Sequence, residues 1–271
     1  MPAFRRVAAL RGAQWVVNAY ALFARSPRIW MLLVLMVLVF MLVSGAIPVL
    51  GPLVFGLLFP IFSAGLAHAA RATDRGETVD LSHLFVGFRA STGDLVAVGG
   101  IYLVGQLVVV AGVLALGGAP LYELLGATPA AATPPQTSAP LSGRALAAAV
   151  LGIALLTPLL MATWFAPLLV LFHQQKAVPA LQTSFYACRA NWLAFVFYLA
   201  SLGLIMLLAR LLVSVLALVP MLGPGLALAV IGALIAVLAP IGFIAFYTSY
   251  IDVFAEALEP ADPAADRVVL P

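Results

Sequence analysis

Arg210 is the residue in this chain that most needs a reason. It stands alone among the charged side chains of the apolar run 192–218. A guanidinium within a span is costly and marks a functional site by default. Two readings are open. Its head can climb outward, since roughly 12 Å of helix at 1.5 Å per residue separates it from the end of the run. There it would meet outer-leaflet phosphates or pair with Glu123. Alternatively it holds an anionic ligand or lipid in a cavity.

His68, Arg71 and Arg75 follow one another at i, i+3 and i+7, with Asp74 beside them. Such a face can meet an anionic head group, or it is only the solvated end of a span. Tyr102 and Gln106, at i and i+4, suit a hydrogen bond between helices or the lining of a polar path. Thr157 and Thr163 are the other polar side chains such a path could use. Cys188 is a lone thiol; palmitoylation, redox chemistry or inert packing are its three readings. His83 and His173 are isolated, and no His, Cys or carboxylate pair has zinc spacing. No nucleophile–base arrangement, phosphate loop or dinucleotide fingerprint occurs. Basic and aromatic residues do not interleave as in nucleic-acid binders. The expectation is a protein without catalysis, cofactor, metal or nucleic-acid partner.

The elements that must position these residues are membrane helices. Of 271 residues, 65% are hydrophobic and 8% charged; a soluble domain has about 45–50% and about 25%. Lipid must solvate most of this surface. Six runs are long enough to cross about 30 Å of hydrocarbon: 29–47, 53–70, 95–116, 145–172, 192–218 and 226–250. The first is too long, and too far from the N-terminus, for a secretory signal. The fold class is all-α, a polytopic membrane protein with six transmembrane helices and amphipathic helices at the cytoplasmic interface.

Three stretches read as those interfacial helices. Residues 1–28 form an N-terminal one, with Phe4, Val7, Ala8, Trp15, Ala19 and Leu22 on one face and Arg11 and Arg25 snorkelling from it. Leu81, Leu84, Phe85 and Phe88 make a second stripe, capped by Asp80. Leu181, Phe185, Cys188 and Trp192 make a third. Ser26-Pro27 reads as an N-cap followed by proline in the first turn. Gly99, Gly100, Gly105 and Gly112 invite close packing of the third span. Pro158 and Pro167 should bend the fourth span without breaking it. ATPAAATPPQTSAP (127–140) reads as an extended loop, and residues 252–271 as a frayed cytoplasmic tail.

Orientation follows from the basic residues. Arg5, Arg6, Arg11, Arg25, Arg28, Arg71, Arg75, Arg89, Lys176, Arg189 and Arg267 fall on one side of a six-span topology, eleven of the 13 Lys and Arg. Arg144 alone falls on the other. By the positive-inside rule both termini are cytoplasmic. IPVLGP (47–52) recurs as VPMLGP (219–224), and each follows an aromatic-and-arginine entry. Either the units are parallel repeats, which speaks against an inverted-repeat transporter, or tight apolar hairpins simply favour Pro and Gly.

Trp164-Phe165-Ala166-Pro167-Leu168-Leu169, followed by Ala180, Ser184, Phe185, Arg189, Asn191 and Trp192, resembles proteobacterial six-span inner-membrane proteins to which no reaction is assigned. Ser63-Ala64-Gly65, Leu84-Phe85-Val86-Gly87-Phe88 and Tyr250-Ile251-Asp252-Val253-Phe254 fit the same pattern. More distantly, 164–192 is similar to the membrane domain fused to some bacterial glycerophosphodiester phosphodiesterases, whose catalytic domain has no counterpart in this sequence. The resemblance implies a multi-pass protein of the bacterial inner membrane. Its partners would be lipids and either another membrane protein or further copies of itself. Three roles compete: a scaffold, assembly or lipid-organising protein; a permease for a small solute or lipid; and, weakest, an intramembrane lipid enzyme, since no paired acid and base lie at one depth. A continuous polar cavity reaching Arg210 would favour the permease; an apolar bundle with lipid-sized grooves would favour the first.

Overall fold

The computed structural model describes residues 2–117, 143–217 and 223–254. Most of the Pro/Ala/Thr loop, the second proline hairpin, Glu123 and the tail beyond residue 254 lie outside the described residues, and with them the comparison of the two hairpins. The described residues form helices α1 (Arg11–Arg25), α2 (Pro27–Gly45), α3 (Leu50–Asp74), α4 (Gly87–Ala90), α5 (Thr92–Gly117), α6 (Gly143–Trp164), α7 (Ala166–His173), α8 (Ala177–Ala190), α9 (Trp192–Ala217) and α10 (Gly223–Val253), with a 3-10 turn at Leu81–Phe85. Six are long and apolar enough to cross a membrane, counting α6 and α7 as one bent span. The order is short element, span, span, three times over.

Helix α3 is the middle of the bundle. Half of its most apolar 18-residue window is buried, against none of the corresponding window of α9. It packs against α2, α5, α7 and α10 and against the 3-10 turn. Close approach to α5 requires Gly99, where a Cβ would lie 2.4 Å from the Leu57 carbonyl oxygen; Gly112 faces open space instead. The α2–α3 hairpin is tighter than a β-turn. The Pro48 carbonyl accepts the Leu50 N–H at 2.7 Å across Val49, whose φ is +66°, a γ-turn that is strained for a β-branched residue.

Of the two prolines in the fourth span, Pro158 lies inside an uninterrupted α6, and the bend comes at Pro167. Pro167 sits in the first turn of α7 and the helix is interrupted at Phe165. The Ser184 hydroxyl, from α8, enters the gap. It accepts the Phe165 N–H at 2.9 Å and donates to the Met161 carbonyl at 2.7 Å. One side chain thus replaces the helical bond that the bend opened.

Two boundaries differ from the sequence reading. The N-terminal helix begins at Arg11, not near residue 1, because the backbone of residues 5–7 bonds to other elements. Helix α1 also packs on protein: Trp15, Ala19 and Leu22 are buried against α9 and α10, and a Cβ on Gly12 would fall 1.8 Å from the Ala194 carbonyl oxygen. At the other end, Asp252, Val253 and Phe254 are buried in the bundle, so the tail cannot begin at 252. Smaller corrections concern the caps and stripes. Ser26 makes no side-chain cap bond. Leu81, Leu84 and Phe85 lie in the 3-10 turn and Phe88 in α4, with Leu84 alone fully buried. Asp80 does cap that turn, accepting the Ser82 N–H at 2.8 Å. Helix α8 buries Leu181 and Cys188 as read, but Trp192 is exposed.

Candidate functional site

All the short elements gather at one end of the bundle, the end that carries most arginines, and Asp252 is its centre. The carboxylate is buried while its partners are half-exposed. Oδ1 accepts from Arg5 Nη2 at 3.0 Å and from Arg11 Nη2 at 2.7 Å. Oδ2 accepts from Arg11 Nε at 2.9 Å and from the Trp15 indole at 2.8 Å. Arg11 therefore grips it with a two-pronged fork; that bond holds the Arg11 guanidinium above its ordinary pKa. Asn191, at the α8–α9 junction, fixes the chain before α1, accepting from Val7 N–H at 2.8 Å and donating to the Arg5 carbonyl at 3.0 Å.

The same end is tied together twice more. Arg25 donates to the Thr73 and Asp74 carbonyls, both at 3.2 Å, so a cation meets the C-terminus of α3 where the helix dipole favours it. The Asp74 carboxylate accepts from the Tyr247 hydroxyl at 3.1 Å. Asp94 of α5 caps α8, accepting the Ala177 N–H at 3.1 Å and lying 3.3 Å from Lys176 Nζ.

The residues singled out from the sequence are spread over this surface rather than gathered. His68 turns to His83, with ring centroids 5.2 Å apart. Arg71 lies over the Phe172 ring at 4.9 Å, a cation–π contact. Arg75 reaches only Glu77, at 4.0 Å on the exposed surface. One feature supports a polar occupant near Arg71: His68 Nδ1, His173 Nε2 and the Tyr250 hydroxyl are buried without a hydrogen-bond partner among the described residues. Arg210 lies elsewhere, on lipid-facing α9. No cluster of His, Cys, Asp or Glu with metal-binding geometry exists among the described residues. Cys188 is buried, and burial pushes its thiol well up, the state of an inert packed cysteine.

Three cavities bear on function. Arg210 lies along a groove of about 450 Å³ between α9 and α10, between Met206 and Val213 and opposite Ile235 and Leu238. Arg28 heads a second groove of about 450 Å³ between α2 and α10, walled by Leu32, Leu35, Ile235 and Ala236. The third, about 440 Å³, lies between α3, α5, α6, α7 and α10, opens beside exposed Gln106 and Leu160, and brings together Tyr102, Gln106, Ser63 and Thr163. Arg210 does not line it. Both conditions set from the sequence are thus met only in part.

The comparisons with known proteins agree with this architecture. A Burkholderia thailandensis protein bearing the name "Probable inner membrane protein" is 32% identical over 197 residues, covering 71% of this chain and 72% of that one. The chain belongs to that family. It is a multi-pass protein of the bacterial inner membrane, and α2, α3, α5, α6–α7, α9 and α10 are the family's candidate spans in this member. No protein-family profile and no solved structure matches the chain.

Asp252, Asn191 and Ser184 escaped the sequence reading as functional residues. A faint signal existed. Each belongs to a resemblance motif, and Asp252 is a carboxylate set between Ile251 and Val253 at the basic end.

Proposed function

We propose that this inner-membrane protein works without catalysis, as a scaffold that organises lipid around itself. The observation that carries the reading is the pair of grooves flanking α10. Each is mainly apolar, each has the volume for part of an acyl chain, and each has one arginine in its lining, Arg28 at the start of α2 and Arg210 along α9. A guanidinium beside an aliphatic groove matches an anionic phospholipid, with phosphate on the cation and chain in the groove. With both termini in the cytoplasm, Arg28 serves the inner leaflet and Arg210, snorkelling, the outer. The Asp252 cluster supports this role by fixing a rigid face at the basic end, on which a membrane-protein partner or a second copy could assemble. His68, Arg71 and Arg75 add positive charge to that face.

A permease is the second reading, and the cavity that brings Tyr102, Gln106, Ser63 and Thr163 together is what favours it. Against it, no charged side chain among the described residues lines that cavity.

The test is purification in native lipid, with the co-purifying lipids identified by mass spectrometry. Wild type should retain anionic phospholipid, and Arg28→Leu with Arg210→Leu should lose it while remaining inserted. Equal lipid content in wild type and double variant contradicts the reading. Solute flux through reconstituted vesicles would move the assignment to the permease.

A further inference from the structure

The third cavity lies between α3, α5, α6, α7 and α10, and three prolines border it, Pro52, Pro60 and Pro167. Pro60 lies inside α3 and Pro167 at the start of α7. Bends at proline hold its walls apart. Its volume, about 440 Å³, falls within the range of small-molecule sites, about 300–1,000 Å³, which are mainly apolar with a few placed polar groups.

We infer that this cavity binds an uncharged amphiphile with a flat ring and carbonyl or hydroxyl oxygens, the chemistry of a benzoquinone or a phenol. The absence of charge on the ligand follows from the lining. No Asp, Glu, Lys, Arg or His among the described residues borders the cavity, so an ionised head would lie unpaired in hydrocarbon. The oxygens follow from what the cavity leaves unsatisfied. Neither the Tyr102 hydroxyl nor the Gln106 amide donates a hydrogen bond to another described residue, and the hydroxyl of buried Ser63 donates none either. Such groups in a bilayer cost several kcal/mol each until something bonds them. Thr163 differs: its hydroxyl already donates to the Leu159 carbonyl at 3.0 Å and offers only a lone pair. The occupant must therefore accept from Tyr102, Gln106 and Ser63.

The ring follows from the walls. Trp164 and Phe246 stack at 4.2 Å with an interplanar angle of 22°, and Phe55 and Phe59 also line the cavity. The Trp164 indole N–H points away, to Ser249 Oγ at 3.4 Å. What it offers the cavity is aromatic surface, against which a planar ligand gains about 0.5–1.5 kcal/mol beyond burial. This site is independent of the lipid grooves, since neither Arg28 nor Arg210 lines it.

The experiment is calorimetric titration of the full chain in detergent with a benzoquinone carrying one short alkyl tail. One saturable site is expected, weakened at least tenfold in Tyr102→Phe with Gln106→Leu and unchanged in Arg210→Leu. Thermal midpoints identify any variant that misfolds. For that case an azido-benzoquinone is photolysed on the wild-type protein, and adducts are expected within 52–63, 98–106 or 160–167. Absence of saturable binding, undiminished affinity in a folded double variant, or adducts confined to α9 would each overturn the assignment.

Discussion

Arg5 and Asp252 are 247 positions apart in sequence and joined twice. Arg5 Nε donates to the Asp252 carbonyl at 2.7 Å and Nη2 to its carboxylate at 3.0 Å. With Arg11 and Trp15 on the same carboxylate, both ends of the described chain close on one buried acid. Asp252→Asn keeps the shape and removes the charge, leaving two arginines and an indole poorly paired. Losing charged hydrogen bonds of this kind costs about 1.5–3 kcal/mol each, and the half-exposed arginines put the total at the low end. The variant should unfold earlier in detergent, and amide exchange should rise first at residues 5–7.

Ser184→Ala leaves the Phe165 N–H and the Met161 carbonyl without their partner at a fully buried bend. An unsatisfied buried group costs about 1–3 kcal/mol. A lowered thermal midpoint is expected, measured by tryptophan emission. Ser184→Thr, which keeps the hydroxyl, should recover part of the loss if the extra methyl is accommodated.

Cys188 should resist maleimide at pH 8 in the folded protein and react once detergent denaturation exposes it. Burial both hides the thiol and disfavours its thiolate. Stoichiometric labelling of the folded protein would refute the packing of α8 against its neighbours.

Asp80 gives a clear pH dependence. Hydrogen bonds, first from the Ser82 hydroxyl, hold its carboxyl down at about 2 from 3.8. A depressed carboxylate stabilises the fold above its unfolded pKa, and the contribution disappears as pH falls through the folded value. The 3-10 turn should therefore hold above about pH 4 and loosen between about pH 4 and 2, read as faster exchange of the Ser82 amide. Asp80→Ala should show fast exchange at every pH.

What the sequence disclosed and what it withheld divide along the range of the interactions. The spans were legible because each is a local run of apolar residues, and Pro167 announced its own bend. Asp80 was legible as a cap because its partners, Ser82 and His83, are next to it. Asp252 was not, because its partners lie at the other end of the chain and its immediate neighbours resemble a frayed tail. The pattern Phe4, Val7, Ala8 had helical spacing, yet Asn191 bonds the backbone there and helix begins later. His68, Arg71 and Arg75 do share a helix face, but helical spacing says nothing of which neighbour each will meet: the 3-10 turn, α7 and Glu77 in turn. Tyr102, Gln106, Thr157 and Thr163 are legible as the lining of a polar path; that Ser63 joins them and Thr157 does not depends on the packing of α3 and α6.

Every role assigned above depends on the threading of the chain, with the arginine-rich end inside the cell, and single-cysteine labelling in intact cells reads that threading out. With Cys188 replaced by Ala, Gln136→Cys should react with an impermeant maleimide at once, and Glu77→Cys only after the inner membrane is opened. Both positions reacting from the same side would contradict the six-span topology, and the reverse order of labelling would contradict its orientation.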